Sequence, residues 1–129
     1  MKVLIVEDNE SLQNLLARIL EHLDYLPVLA SHGKDGLEKA IAEKPDLILM
    51  DMQMPVMDGW EATRELRANP ETKNIPILAT TALFGPNEVK TCLEAGCNGY
   101  IVKPFTLMKL QHKIAELLAA SSSSSIERA

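Results

Sequence analysis

Side chains capable of chemistry stand at the ends of several apolar runs in this 129-residue chain. Glu7 and Asp8 follow Val3 to Val6, Asp51 follows Leu47 to Met50, Thr81 closes a run that begins at Ile75, and Lys103 follows Gly99 to Val102. Carboxylates can attack an electrophile or hold a hard cation, a hydroxyl can donate to an anionic oxygen, and an ammonium can neutralise one. Three carboxylates in one small space repel each other, so unassisted at least one keeps its proton and is a poor nucleophile. A divalent cation removes that difficulty, and a donor set of carboxylates, carbonyls and water suits magnesium. Three carboxylates, one ammonium and a doubly charged cation sum to zero, which leaves room for a dianionic phosphoryl group. Asp51 would attack in line while the cation and Lys103 hold phosphoryl oxygens; phosphoryl transfer needs little beyond such positioning. The Thr81 hydroxyl could donate to an oxygen of the product.

These residues meet only if the elements that carry them bring them together. Lys2 to Val6 reads as a first strand. Leu12, Leu15, Leu16, Ile19, Leu20 and Leu23 make one apolar stripe at helical spacing, with Glu10, Gln13, Asn14, Arg18 and Glu21 opposite; Asn9 or Glu10 begins that helix. Leu26 to Ala30 is a second, weaker strand. Lys34 to Glu43 is a helix that Gly36 weakens a little, ended by Lys44-Pro45 because the residue before proline is pushed out of helical geometry. Leu47 to Met50 is a strand buried on both faces, delivering Asp51 to a turn made by Pro55 and Asp58-Gly59.

Asp58 caps a third helix that runs to about Ala68, where Asn69-Pro70 stops it. Ile75 to Thr80 is a fourth strand with Thr81 at its end. Beyond the Leu83-Phe84-Gly85-Pro86 loop, Asn87 to Ala95 is a short helix closed by Gly96. Gly99 to Val102 is the fifth strand, and Thr106 caps a last helix carrying Leu107, Leu110, Ile114, Leu117 and Leu118. Alternating strands and helices argue an α/β fold: a five-stranded parallel sheet of order 2-1-3-4-5, flavodoxin-like and doubly wound. In that order strands one, three, four and five are neighbours, so the reactive residues share one crevice at the switch point. Residues 1–120 form one domain, and 121–129, with the Ser121 to Ser125 run, form a flexible tail.

Each of these residues alone has an ordinary explanation, as a turn acid, a helix-start acid pair, a β-former or a solvated lysine. Together, in order and at this spacing, they carry a resemblance. From Lys2 to about Leu118 the chain resembles the receiver domain of two-component response regulators. The matching stretches are Val6-Glu7-Asp8-Asn9, Leu49-Met50-Asp51-Met52-Gln53-Met54-Pro55 with Met57-Asp58-Gly59, Ala79-Thr80-Thr81-Ala82, and Gly99-Tyr100-Ile101-Val102-Lys103-Pro104-Phe105.

The resemblance implies a phosphorelay switch in the cytoplasm. Asp51 would accept a phosphoryl group from a histidine kinase or histidine phosphotransfer protein. Mg²⁺ would be held by Asp8, Asp51 and the backbone carbonyl of Gln53, with Glu7 acting largely through a metal-bound water. Lys103 would contact the phosphoryl group, and Lys103-Pro104 would be a cis peptide. Thr81 and Tyr100 would read out the modification, biasing a surface formed by the fourth helix, fifth strand and fifth helix toward a downstream protein. Gln53 and Leu83 would sit at the pocket mouth beside the path of the hydrolytic water. An apolar Leu83 cannot orient a water, so a comparatively long-lived phosphoryl state is expected. Such a domain catalyses its own phosphorylation and slow dephosphorylation but turns over no external substrate.

Other readings fare less well. A metal-dependent hydrolase with an aspartyl nucleophile generally wants a second acid two residues on, where Gln53 stands. A flavin or nucleotide site needs a Gly/Ser/Thr-rich cradle after the first strand, where Glu7-Asp8-Asn9-Glu10 would repel phosphate. A receiver-like scaffold that is never phosphorylated would lack one of the acids or the lysine. The formal charge of −5 argues against direct nucleic-acid binding, and no apolar run reaches the roughly 18 residues of a membrane span. Met1 directly before the first strand and an end just past the last helix favour a stand-alone protein. Cys92 and Cys97 read as small half-buried thiols near a helix end, with redox sensing the alternative. His22, His32 and His112 read as surface residues.

Overall fold

A computed structural model describes residues 1–53, 58–82 and 85–128, with backbone alone for Pro86 and for 121–128. Strands and helices alternate throughout: β1 (Lys2–Val6), α1 (Glu10–His22), β2 (Leu26–Ala30), α2 (Gly33–Glu43), β3 (Leu47–Asp51), α3 (Gly59–Ala68), β4 (Ile77–Thr81), α4 (Pro86–Ala95), β5 (Gly99–Val102) and α5 (Leu107–Arg128). The sheet is parallel with order β2-β1-β3-β4-β5, as the alternation predicts. Every residue of β3 and of β4 is buried, which is why both read as apolar runs without alternation. On one face Leu4, Val6, Ile48, Met50, Ile77 and Ala79 pack under α2, α3 and α4. On the other Val3, Ile5, Leu47, Leu49, Leu78 and Ile101 pack under α1 and α5.

The registers gather the reactive residues. Val6 lies opposite Met50, so Glu7 follows it beside Asp51. Asp51 lies opposite Thr80, and Thr81 opposite Val102, one residue before Lys103. The Lys103 N–H donates to the Thr81 carbonyl at 2.7 Å, carrying the pairing one residue past β5.

Several local expectations change. In α1 the buried arc is Gln13, Leu16, Ala17 and Leu20. Gln13 therefore faces inward rather than lying on the polar side, and Leu15 is 54% exposed. The Gln13 amide is satisfied there: Nε2 donates to the carbonyls of Glu7 (3.3 Å) and Ala30 (2.9 Å). Asn9 is the cap, its side chain accepting from the Leu12 N–H at 2.9 Å.

Helix α2 ends at Glu43 as expected, with Lys44 leaving helical geometry through the left-handed region (φ 48°). Gly36 is a packing requirement as well as a helix weakness, because a Cβ there would lie 2.7 Å from Val6 Cγ2. Strand β4 begins at Ile77, two residues later than the apolar run, because the Ile75 carbonyl is taken by the Arg67 guanidinium at 2.7 Å.

The backbone of α5 is helical to Arg128, through the Ser121 to Ser125 run that was expected to follow the helix. No Gly or Pro stands between Leu118 and Arg128 to stop it. Cys92 and Cys97 are free and fully buried rather than half-buried. They sit at the end of α4, where the Cys97 N–H donates to the Cys92 carbonyl at 3.2 Å and Gly96 adopts φ 114°. All three histidines are exposed, and His32 caps α2 by accepting from the Asp35 N–H at 3.1 Å.

Candidate functional site

The site lies at the carboxyl ends of β1, β3, β4 and β5. Glu7 and Asp51 are each 3% exposed, and Thr81 is 5% exposed. Asp8 faces solvent. One carboxylate oxygen from each of Glu7, Asp8 and Asp51 can be chosen so that all three lie within 4.8 Å of one another. Lys103 Nζ lies 3.0 Å from Glu7 Oε1 and 3.3 Å from Asp51 Oδ1, bridging the two buried acids. The Lys103–Pro104 peptide bond is cis.

Local backbone fixes the acids. The Gln53 N–H donates to Asp51 Oδ1 at 3.1 Å, and the Asn9 N–H donates to Glu7 Oε2 at 3.1 Å. Burial raises the Asp51 carboxyl from its ordinary 3.8 to about 7. The Gln53 N–H opposes that rise, Glu7 adds to it through a shared hydrogen bond and its charge, and Lys103 pulls it back. One lysine thus fails to neutralise the cluster. The donors are oxygens only, two of them buried and one open to solvent, a set that fits a hard divalent cation keeping some of its own waters.

Gln53 contributes more than its carbonyl. Its side chain crosses the mouth of the site, with Nε2 donating to Thr81 Oγ1 at 2.8 Å and Oε1 accepting from the Ala82 N–H at 3.0 Å. Leu83, the other residue expected at the mouth, lies outside the described residues, as do Met54 to Met57 and Phe84. Tyr100 lies opposite Ala79 and is half-buried against the cluster under α3 and α4. It is on the sheet face opposite Ile101, which packs under α5.

Three contributors escaped the sequence reading. Gly59, read in the sequence only as a turn residue, opens α3 directly behind Asp51, and a Cβ there would lie 2.5 Å from the Asp51 carbonyl oxygen and 2.6 Å from Met52 Cα. A glycine in the first turn of a helix is a poor helix former, and that was the available signal. Arg67 ties α3 to the β4 and β5 side, donating to the carbonyls of Gly96 (2.9 Å), Lys73 (3.0 Å) and Ile75 (2.7 Å) and to Asn98 Oδ1 (2.6 Å). Beside Lys103 an apolar groove of about 540 Å³ runs between α1 and α5, lined by Leu12, Leu15, Ile19, Pro104, Phe105 and Leu107. Its signal was the surplus of leucine on α1, more than one buried stripe can use.

Among the described residues no helix is long and apolar enough to cross a membrane. Residues 3–115 match the family model of the response regulator receiver domain. The chemotaxis protein CheY1 of Helicobacter pylori strain J99 is 38% identical over 123 residues, which are 94% of this chain and 99% of that protein. The hybrid signal transduction histidine kinase G of Dictyostelium discoideum is 44% identical over 117 residues, 88% of this chain but only 3% of that much longer protein. Among solved structures, the receiver domain of a sensor histidine kinase from Pseudomonas aeruginosa PAO1, with a magnesium ion coordinated in its active-site cleft, superposes with a TM-score of 0.85 at 36% identity, covering 92% of this chain and 97% of that one. A chemotaxis protein of Vibrio cholerae, CheY4, superposes with a TM-score of 0.86 at 31% identity, over 90% and 97% of the two chains. A family match over nearly the whole chain, a sheet of the same order and an acid cluster with its lysine at the strand ends agree: the chain belongs to the response regulator receiver domain family.

Proposed function

We propose that this receiver domain is a phosphorylation-dependent switch in which Asp51 takes the phosphoryl group. The carrying observation is the cluster itself: a buried carboxylate, two further acids within ligand distance of it, and Lys103 between the buried pair. Glu7, Asp8, Asp51 and the Gln53 carbonyl would hold Mg²⁺. When bound, the ion neutralises charge on the acids and on the phosphoryl oxygens.

Asp51 does the chemistry. An Oδ attacks the phosphorus of a phosphohistidine in line; the new P–O bond forms as the P–N bond breaks, and the electron pair leaves with the imidazole. The attack needs the carboxylate, so the site must first shed the proton that burial retains on Asp51. Lys103, already 3.3 Å from Asp51, then gives its positive charge to a phosphoryl oxygen. The donor would be a histidine kinase or histidine phosphotransfer protein.

Thr81 and Tyr100 carry the readout in this proposal. Thr81 ends β4 at the pocket, and Tyr100 lies on β5 against the α3–α4 side. Movement of the one and repacking of the other would change the α4-β5-α5 surface that a downstream protein reads. The test is incubation with acetyl phosphate and Mg²⁺ followed by intact mass. The expected result is the gain of one phosphoryl group, absent from Asp51→Asn. No gain in the parent protein with magnesium present would overturn the proposal and leave a receiver scaffold that is not phosphorylated.

A further inference from the structure

We infer that the Gln53 side chain is a clasp holding the switch in its resting form, which modification of Asp51 must open. The inference rests on the reading of Asp51 as phosphoacceptor. Gln53 is tied both to Asp51, through its backbone N–H, and to the hydroxyl of Thr81, through its side chain. Its backbone N–H donates to Asp51 Oδ1 at 3.1 Å. Its side-chain amide spans to the end of β4, giving a hydrogen to Thr81 Oγ1 at 2.8 Å and taking one from the Ala82 N–H at 3.0 Å. Both lengths are those of well-formed bonds. Gln53 is itself exposed, and the clasp lies across the mouth of the site.

The consequence is competition. A phosphoryl group on Asp51 presents anionic oxygens that call for hydrogen-bond donors, and the end of β4 offers the Thr81 hydroxyl and, one residue on, the Ala82 N–H. The amide oxygen of Gln53 already occupies the Ala82 N–H, and its amide nitrogen donates to Thr81 Oγ1. While the clasp stays closed the Ala82 N–H cannot be given to the phosphoryl group, and the Thr81 hydroxyl, which keeps its own proton to donate, is held where it is. Modification also reaches Gln53 from the other end, because the Asp51 oxygen that accepts its N–H changes charge when an acyl phosphate forms. Opening therefore couples chemistry on β3 to movement on β4 through one residue, with the metal-ligating carbonyl left as backbone.

Sign distinguishes a clasp from a structural brace. Gln53→Met keeps the side chain's length and apolar volume and removes both amide bonds. A clasp lost in this way makes the activated state easier to reach, whereas a brace lost makes it harder. The probe is beryllofluoride, which occupies an acceptor carboxylate without covalent chemistry, titrated in saturating Mg²⁺ and read by ¹⁹F NMR. The loss of two uncharged hydrogen bonds at an exposed site predicts binding to Gln53→Met about three- to tenfold tighter than to the parent. Gln53→Ala is expected to move the same way. In a Thr81→Ala background the gain should shrink, because half the clasp is already gone. Equal or weaker binding to Gln53→Met, with the parent binding normally, would overturn the clasp and leave Asp51 as acceptor. No binding to the parent would overturn the acceptor reading and the clasp with it.

Discussion

At the scale of single residues the site is an electrostatic problem only partly solved by the protein. Burial lifts Asp51 to about 7, so without divalent cation the folded protein holds a proton that the unfolded chain releases near 3.8. The folded state then binds more protons between those values, and stability falls as pH rises through that window. In EDTA, thermal melts should show the parent less stable at about pH 8 than at about pH 5.5, by more than Asp51→Asn shows over the same range. Mg²⁺ should restore most of the loss at the higher pH, and a flat parent profile would count against a protonated Asp51. The acids, Thr81 and Lys103 were legible in the sequence because each stands at the end of an apolar run. The Gln53 side chain was not legible as a bridge, because nothing local shows that its amide spans to another strand. Gln13 misled for the opposite reason: its partners are two backbone carbonyls, and pattern reading counts every glutamine as polar surface.

At the scale of elements, close approach rather than propensity positions the site. Gly59 lets α3 start against the carbonyl of Asp51 itself, with no room for a Cβ. Gly59→Ala should cost about 1–3 kcal/mol in urea unfolding and lower the phosphorylation rate as well, because relief of the clash must shift either α3 or the end of β3. Arg67 is the corresponding tie on the other side of α3. Four hydrogen bonds fix its guanidinium, three of them to carbonyls. Arg67→Met should destabilise by about 2–4 kcal/mol, since the carbonyls lose their donor while the packing is kept. The ten elements followed from apolar runs and turn residues, and the strand order from their alternation together with the family resemblance. The start of β4 shifted where a long-range contact intervenes, Arg67 holding the Ile75 carbonyl. Sequence periodicity carries no information about such contacts.

At the scale of the molecule, the sheet carries Asp51, Thr81 and Lys103 on one rim, at the carboxyl ends of its strands. The proposed readout surface is formed by α4, β5 and α5, away from β2, with Tyr100 of β5 packed against the α3–α4 side. Amide hydrogen exchange with and without beryllofluoride and Mg²⁺ should therefore change in residues 82–102 and stay unchanged in β2 and α2. A uniform change across the sheet would argue against a localised switch. The central claim is narrower, that Asp51 is where the phosphoryl group goes. Reductive trapping tests it most directly: borohydride converts an aspartyl phosphate to homoserine, which peptide mass spectrometry then locates. After acetyl phosphate and Mg²⁺, the reduced residue is expected at position 51 alone. Reduction at Asp8, or at no residue despite a phosphoryl mass gain, would contradict the account.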